Sequence, residues 1–571
     1  MKKRVCAVFT AIFLGVTALP SSTFAAESYQ ETEKAALGEF LTEFISLYTS
    51  GLDNYEQALA GSYGDFTITL GEAGRGLLGM MFPADVSWLD NLKFSTDVTI
   101  KDGQMGEVLN ISLNDTDILS VNLYSDSTTG DVFVQIPELS ESYLSANWQD
   151  MFQETQTLTE GTTSVSLSMD DLIKYMSISE NILEYLPSAD ALESIINTYG
   201  TMFIEGFAEG ETGSETLTVS DVSQECTTFE GVLDNSDALT VVKDILTQAR
   251  EDENIREILT GIENSGSGNE NLYQQFQDGI DSLSADLSES EESDASAVIS
   301  KIWTDDTDKI VGRQISFQEA DGTSTPFFTC QTPSNGSDRG LLLELGSEGS
   351  TIALTGSGTV NGATMKGTYS VLTDSEPVLS IELSDYDTET AAEGKLNGVY
   401  TLSIPATAIE DEAAASLMNG FSLAVTLASG ETDFSATADI LSAGESLLSL
   451  NFTSDLGDGV EIPDLTAISG TVYDTLNADD TAAYAEEISM DTILSNLTAA
   501  GMPETFIEDV ISAFTYTEED YSTYEDTYSD DDSDDGLSED SSAYDDSSAA
   551  DDSIDDTLTE ETEVSADSSA S

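Results

Sequence analysis

From Ile302 to Phe452 the chain alternates apolar and polar residues with a period of two, and turn dipeptides interrupt the alternation at short intervals. A period of two puts every second side chain on one face, which a β-strand can bury and a helix cannot. Runs at about 310–320, 326–332, 340–346, 350–360, 363–372, 376–384, 396–404, 419–428, 432–440 and 446–453 predict a long antiparallel meander. Asp321-Gly322, Asn335-Gly336, Asn361-Gly362 and Asn397-Gly398 fall between runs and tolerate left-handed backbone. Ser, Thr, Gly and charged residues hold the alternate positions, so one sheet face is expected to be solvated.

The N-terminal part mixes both periods. Leu37, Leu41, Phe44 and Tyr48 form a helical stripe within 31–55, and strand runs follow at 92–101, 104–114, 117–125 and 130–136, with Asp102-Gly103 as a hairpin turn. Helical patterns return over 171–207, interrupted by Pro187, and from Asn235 or Ser236 as N-cap to Gly261. Segments 264–270 and 284–297 are rich in Ser, Gly, Glu and Asp around a short helix of Leu272, Phe276 and Ile280. A closing pair of helices runs from Ser489 to Gly501 and from Pro503 through Phe514. The fold class expected is α+β: a large curved antiparallel β-sheet, a meander with helices packed on one face, plus a disordered acidic C-terminal tail. The expected organisation is a signal peptide over 1–25, a helix- and hairpin-rich part over 26–296, the meander with its closing helices over 297–515, and the tail over 516–571.

Lys2, Lys3 and Arg4 precede an apolar stretch from Val5 to Leu19, and Thr23-Phe24-Ala25 carries small residues at −3 and −1, so cleavage is expected after Ala25. The apolar run is too short for a confident membrane span, Cys6 is misplaced for lipidation, and no stop segment closes the chain. Free secretion with no stable membrane anchor follows as the expectation. Removing 1–25 takes away three of 17 basic residues and none of 109 acidic ones, leaving a net charge of −95. Such a surface repels polyphosphate and anionic lipid, so nucleic acid is excluded as a partner and a cationic partner remains open. The tail, dense in Asp, Glu and Ser, has too little apolar surface to offset chain entropy.

No histidine is present, which removes the base of Ser-His-Asp and Cys-His catalysis and the commonest zinc ligand. No G-x-S-x-G elbow or P-loop occurs, and Gly356-Ser357-Gly358 reads as a bulge or bend in a strand. Asp531 to Ser542 has oxygen ligands at EF-hand positions one, three and five, but Ser542 stands where a bidentate Glu belongs, so loose counterion binding is the better reading. Asp455-Leu-Gly-Asp458-Gly459 reads as a hairpin turn. No catalytic, cofactor or metal residue is assigned. Cys226 and Cys330, the two cysteines of the mature part, either form a disulfide or stay as two buried thiols.

The strand series 92–136 ending in Asp131-Val-Phe-Val-Gln-Ile-Pro-Glu-Leu-Ser140, the helix from Leu239 to Ile262, and the segment Tyr473-Asp474 through Ala500-Gly-Met-Pro503 resemble uncharacterised exported proteins of Gram-positive gut-type bacteria. Those proteins look like the LolA-like lipoprotein-carrier superfamily. The resemblance covers most of 30–515 and implies a curved antiparallel sheet with helices across its concave face and an apolar space that holds an acyl chain. Many relatives carry a lipobox or anchor; this chain departs from them in having neither. The function expected is a secreted, non-enzymatic binding or structural protein with an apolar, lipid-like ligand. The alternative is an extracellular hydrolase using a carboxylate pair.

Overall fold

A computed structural model describes residues 28–81, 85–148, 183, 185–264, 271–288, 297–347, 349–409, 411–418, 420–457 and 459–514. The expected signal peptide, the Asp531 to Ser542 loop, the tail and the first part of the 171–207 helical pattern, residues 171–182, lie outside these residues.

The chain opens with the 32-residue helix α1 (Tyr29–Ala60), which Ser28 caps by accepting from the Glu31 amide at 3.3 Å. Then come β1 (Ser62–Leu70), α2 (Glu72–Met81), β2 (Asn91–Lys101), β3 (Gln104–Leu113), β4 (Thr116–Asp126), β5 (Asp131–Gln135) and β6 (Tyr143–Asn147). Helix α3 (Ala189–Glu205) leads into the hairpin β7 (Ala208–Val219) and β8 (Val222–Asp234). Helices α4 (Asn235–Ala249), α5 (Glu253–Asn264) and α6 (Leu272–Ser288) follow. The long meander holds β9 (Ala297–Thr304), β10 (Ile310–Gln318), β11 (Ser324–Gln331), β12 (Ser334–Asn335), β13 (Asp338–Ser347), β14 (Ser350–Asn361), β15 (Thr364–Thr373) and β16 (Glu376–Asp387). It continues through α7 (Thr388–Ala391), β17 (Gly398–Ser403), α8 (Glu412–Met418), β18 (Phe421–Ser429), β19 (Asp433–Ser442) and β20 (Glu445–Leu456). Strand β21 (Val472–Asp474) and helices α9 (Ala478–Glu487), α10 (Asp491–Ala499) and α11 (Glu504–Phe514) close it.

Among the described residues, all 21 strands belong to one open sheet, antiparallel except where β21 lies parallel to β6. Strand β1 joins the two halves, pairing β2 on one side and β20 on the other. From β1 the sheet runs through β2, β3, β4, β5 and β6 to β21 in one direction. In the other it runs through β20 to β13 and then β11, β10, β9 and β8 to β7. The expected boundary near 296 falls between α6 and β9, yet β8 and β9 pair across it, so both parts share one sheet. Residues up to Asp509 form one compact unit. The hairpin Asp102-Gly103 has φ of 53° and 79°, the left-handed pair that a tight antiparallel turn needs.

Cross-strand partners share a face, so the register traces which side chains line each surface. One row runs Leu341, Gly356, Tyr369, Ile381, Leu402, Leu423, Ile440, Leu448, Leu70 across nine neighbouring strands. Beside it runs Gly358, Gly367, Leu383, Tyr400, Val425, Ala438, Leu450, Ile68, Leu92, Leu113. The opposite face carries Thr437, which donates to Asn451 at 2.8 Å, and Asp65, which accepts from Tyr63 at 3.1 Å and lies 3.5 Å from the Lys93 ammonium. The amphipathic alternation legible in the sequence is therefore realised strand by strand.

The main core lies at the β8–β11 end. Tyr29 and Ala36 of α1, Phe203 and Phe207 at the end of α3, and Ala238 of α4 pack on Phe229, Leu233, Ile302, Ile315 and Phe328. Strands β7 and β8 curl so that Leu217, Cys226, Trp303 and Val311 seal the other face, and Val219 lies against Gly340 and Pro333. A second core gathers Leu113 and Ile118 with Ile493, Leu497, Ala500 and Ile507 of the closing helices.

Several local expectations are corrected. The sequence pattern does not reveal strands β7 and β8, because Ala208-Glu-Gly-Glu-Thr-Gly-Ser is polar and glycine-rich and β7 is exposed along most of its length. Asp234, one residue before the expected caps, closes α4 by accepting from the Ser236 and Asp237 amides at 3.0 Å. The helical pattern to Gly261 breaks at Asp252, which caps α5 through the Asn254 amide at 2.8 Å, and Gly261 lies inside α5. Gly356 and Gly358 neither bulge nor bend β14: the Tyr369 ring lies over them and over Gly367, where an added Cβ would stand 2.6–3.0 Å from it. The Asp455 to Gly459 segment is not a hairpin either. Gly459 approaches Thr99 and Val98, and Val460 and Ile462 pack over Gly106, so the chain crosses β2 and β3.

Candidate functional site

Helix α1 rises about 1.5 Å per residue, which gives 32 residues a length of about 48 Å. Its N-terminal end packs on β7 and β8, and its C-terminal end on β1, β2 and β20. Along the sheet, those ends are separated by a dozen strand spacings of about 4.8 Å, an arc of about 58 Å. An arc longer than the helix that subtends it must bow away, so the sheet is concave toward α1 and a trough runs beneath the helix.

The floor of the trough is the pair of apolar rows. Burial there is incomplete: Leu423 and Ile440 remain 37% exposed, and Phe452, one position further along the same face of β20, 43%. Tyr386 and Tyr400 meet edge to face at 6.4 Å, and Phe434 lies 6.2 Å from Phe452. Burial raises the Tyr369, Tyr386 and Tyr400 hydroxyls above their ordinary pKa, so they stay neutral donors at physiological pH. On α1, Phe40, Phe44 and Leu47 follow Glu33 at helical spacing on the sheet side. Leu47 reaches Gly394 between α7 and β17 and is still more than half exposed.

At the closed end, α1 is latched by a buried ion pair. Both Arg313 terminal nitrogens donate to the two Glu33 oxygens, Nη2 at 2.8 Å, and neither side chain reaches solvent. Burial works against the Arg313 cation, yet the Glu33 carboxylate holds its pKa above the ordinary value. Tyr29 is fully buried beside them with its ring over Gly231, and burial, then Glu33, push its hydroxyl well up. Glu209 of β7 completes the docking by accepting from the Tyr29 and Gln30 amides at 2.9 and 3.1 Å, a carboxylate at a helix N-terminus.

The two cysteines do not pair. Cys226 is sealed with Trp303 on one face of the sheet, while Cys330 packs with the helix-side core on the other. Strands β9 and β10 separate β8 from β11, about 14 Å of lateral spacing, whereas a disulfide needs Cα atoms within about 7 Å. Burial raises the Cys226 thiol to about 11 and raises Cys330 against the pull of Arg313, so neither is a thiolate nucleophile at neutral pH.

Among the described residues, no group of three or more His, Cys, Asp or Glu is placed to hold a metal ion. The two trough rows hold no carboxylate. A separate cavity of about 460 Å³ lies between the start of α3 and α5, lined by Tyr185, Pro187, Glu253, Arg256, Glu257 and Gly261. Among the described residues no helix is long and apolar enough to cross a membrane, a statement that does not extend to strands. The sequence signalled the trough through its alternation; it gave no sign of the Glu33–Arg313 latch, whose members lie 280 residues apart.

No protein family matches the chain, and no curated protein does. Solved structures with some similarity include two mutants of the Rh. blastica porin, each 9% identical over 69% of this chain and 98% of theirs, with TM-scores of 0.14 and 0.13. A third, described under asymmetric conductivity of engineered proteins, has a TM-score of 0.11 at the same identity and coverage. Likeness at this level carries no argument about the chain.

Proposed function

We propose that this chain is an exported, non-enzymatic binding protein that holds an apolar, lipid-like chain in the trough between α1 and the sheet. One observation carries the reading: a row of apolar residues, with the Tyr369 ring lying over the glycines of β14, continues across nine neighbouring strands, and members near the middle stay more than a third exposed while α1 spans above them. Leaving that surface wet costs about 25 cal/mol per Å² of apolar area, which an acyl chain would recover. Carrier relatives of the kind the sequence resembles use the same space. The hydrolase alternative needs two carboxylates several ångströms apart in a cleft, and the trough floor has none.

Native mass spectrometry of protein purified from its own host tests the reading, together with uptake of a single-chain nonionic probe such as dodecyl maltoside by the delipidated protein. Co-purifying lipid mass, or uptake abolished by Leu423→Asp with Ile440→Asp, is expected. Protein that carries no mass and takes up no probe would overturn it.

A further inference from the structure

We infer that the trough takes an amphiphile with a carboxylate head, received by Arg339 and the Tyr369 hydroxyl at the β13–β15 end of the floor; this rests on the apolar-ligand reading above. Arg339 of β13 stands opposite Gly358, which pairs with Gly367, so it heads the second floor row. Gly356, Gly358 and Gly367 leave the backbone bare there, and the Tyr369 ring lies along it with its hydroxyl 3.0 Å from where a Gly358 Cβ would stand. Cross-strand neighbours have Cβ atoms about 5 Å apart, so the hydroxyl and the Arg339 side chain are within reach of one head group.

Both groups have donors to spare. Tyr369 is 7% exposed, and its hydroxyl has no hydrogen-bond partner among the described residues, unlike Tyr400, which donates to the Leu396 carbonyl at 3.0 Å. Burial, then the neighbouring Tyr386, keep the Tyr369 hydroxyl protonated. Arg339 is exposed, and its Nη1 donates to the Gly336 and Asp338 carbonyls at 2.8 and 2.9 Å. Among the described residues no carboxylate pairs with it. Its surroundings are otherwise matched: Lys366 lies 3.3 Å from Asp385, Lys395 lies 3.0 Å from Glu393, and Asp338 accepts from Thr359 at 3.0 Å on the other face. In a chain with 109 acidic and 17 basic residues, a guanidinium kept clear of carboxylates beside a buried, unpartnered hydroxyl points to an anion. Nε and Nη2 of Arg339 form the fork that a carboxylate accepts in a bidentate pair, and Tyr369 adds a third donor. The tail then runs across Leu383, Leu402 and Leu423. The overall charge of the chain opposes any anion, but at about 0.15 M salt the Debye length of about 8 Å screens distant acids and leaves the contact.

Calorimetric titration of the full chain near pH 8 and about 0.15 M salt with dodecanoate and dodecyl maltoside, which share one tail, tests the assignment. Dodecanoate should bind the wild type; Arg339→Gln should weaken it about tenfold and Tyr369→Phe about threefold, while the maltoside changes less than about twofold in either. Arg339→Lys keeps the charge without the fork and should recover only part of the loss. Lys101→Gln, the same change of charge at an exposed residue on the opposite face of the sheet, should leave both probes unchanged. Acetate, a head group without a tail, should not displace dodecanoate at equal concentration. Maltoside binding without dodecanoate, dodecanoate binding that survives Arg339→Gln, a loss matched by Lys101→Gln or shared equally by the maltoside, or displacement by acetate overturns the inference and leaves the apolar-ligand reading standing. Failure of both probes to bind removes that reading itself.

Discussion

The β8–β11 end of the sheet and its β14–β20 middle are built from the same alternation, yet they end in opposite states. At the first, Ile302 and Ile315 are wholly buried, helices cover one face, and the curl of β7 covers the other. In the second, Leu423, Ile440 and Phe452 keep a third or more of their surface, and the opposite face is polar, carrying Thr437, Asn451, Glu382 and Asp439. One pattern thus serves two ends: the sealed end supplies stability, and the middle keeps an apolar surface available. Since α1 is anchored at both ends of the bow, the seal at one end also sets the height of the roof over the other.

The comparison breaks most sharply at the latch. Arg313→Met leaves Glu33 charged, buried and unpaired, and is expected to cost about 3–5 kcal/mol in urea unfolding. Glu33→Met with Arg313→Met together should restore most of that loss, because an apolar pair of similar volume removes the desolvated charge. Should the single and double variants be equally destabilised, the pair's charge is not what holds α1 down.

Next comes a matched truncation at each region. Ile302→Ala opens a cavity at the sealed end and should cost about 2–5 kcal/mol, whereas Ile440→Ala, partly solvated already, should cost less than about 1 kcal/mol. Equal losses would mean that the middle is packed as tightly as the end, and the trough would disappear with the difference.

A smaller effect is expected where tyrosine rings lie on bare backbone. A Cβ at Gly356 would stand 2.2 Å from the Thr368 carbonyl oxygen and 2.6 Å from the Tyr369 ring, so Gly356→Ala should cost about 1–3 kcal/mol. Pairing it with Tyr369→Leu should recover part of that loss if the ring is the obstacle. An unchanged loss would assign the strain to the strand pairing.

These particulars show what a sequence can and cannot tell. The meander was legible almost residue by residue, because a period of two and dipeptides such as Asp102-Gly103 act locally. The hairpin of β7 and β8 was not, since β7 is an edge strand whose polar residues satisfy solvent rather than a core. The trough needed the register, in which Leu402, Leu423 and Ile440 become neighbours although each sits in a different run. The latch was out of reach for a different reason: Glu33 lies in an amphipathic stripe as one more acid among 109, and only tertiary folding brings Arg313 to it.

The smallest effect lies at the far edge of the sheet, where Glu487 of α9 ties together β21 and the chain before β6. Tyr473 donates to it at 2.6 Å and Ser142 at 2.7 Å, and these hydrogen bonds hold its carboxyl below the ordinary Glu value of 4.5. A carboxylate whose pKa is lowered by folding stabilises above its ordinary pKa, and the contribution is lost as pH falls through the folded value. Glu487→Gln should therefore melt below the wild type near pH 7, and the two melting temperatures should converge as the pH drops from about 4.5 downward. Acid also relieves the repulsion of so many carboxylates, but wild type and variant share that change, so the difference between them isolates this residue. Tyr473→Phe should reproduce the pattern by removing the larger of the two donors' effects. A gap between wild type and Glu487→Gln that stays constant down to about pH 3 would assign the loss to packing of α9 instead, and would leave the edge of the sheet insensitive to this proton.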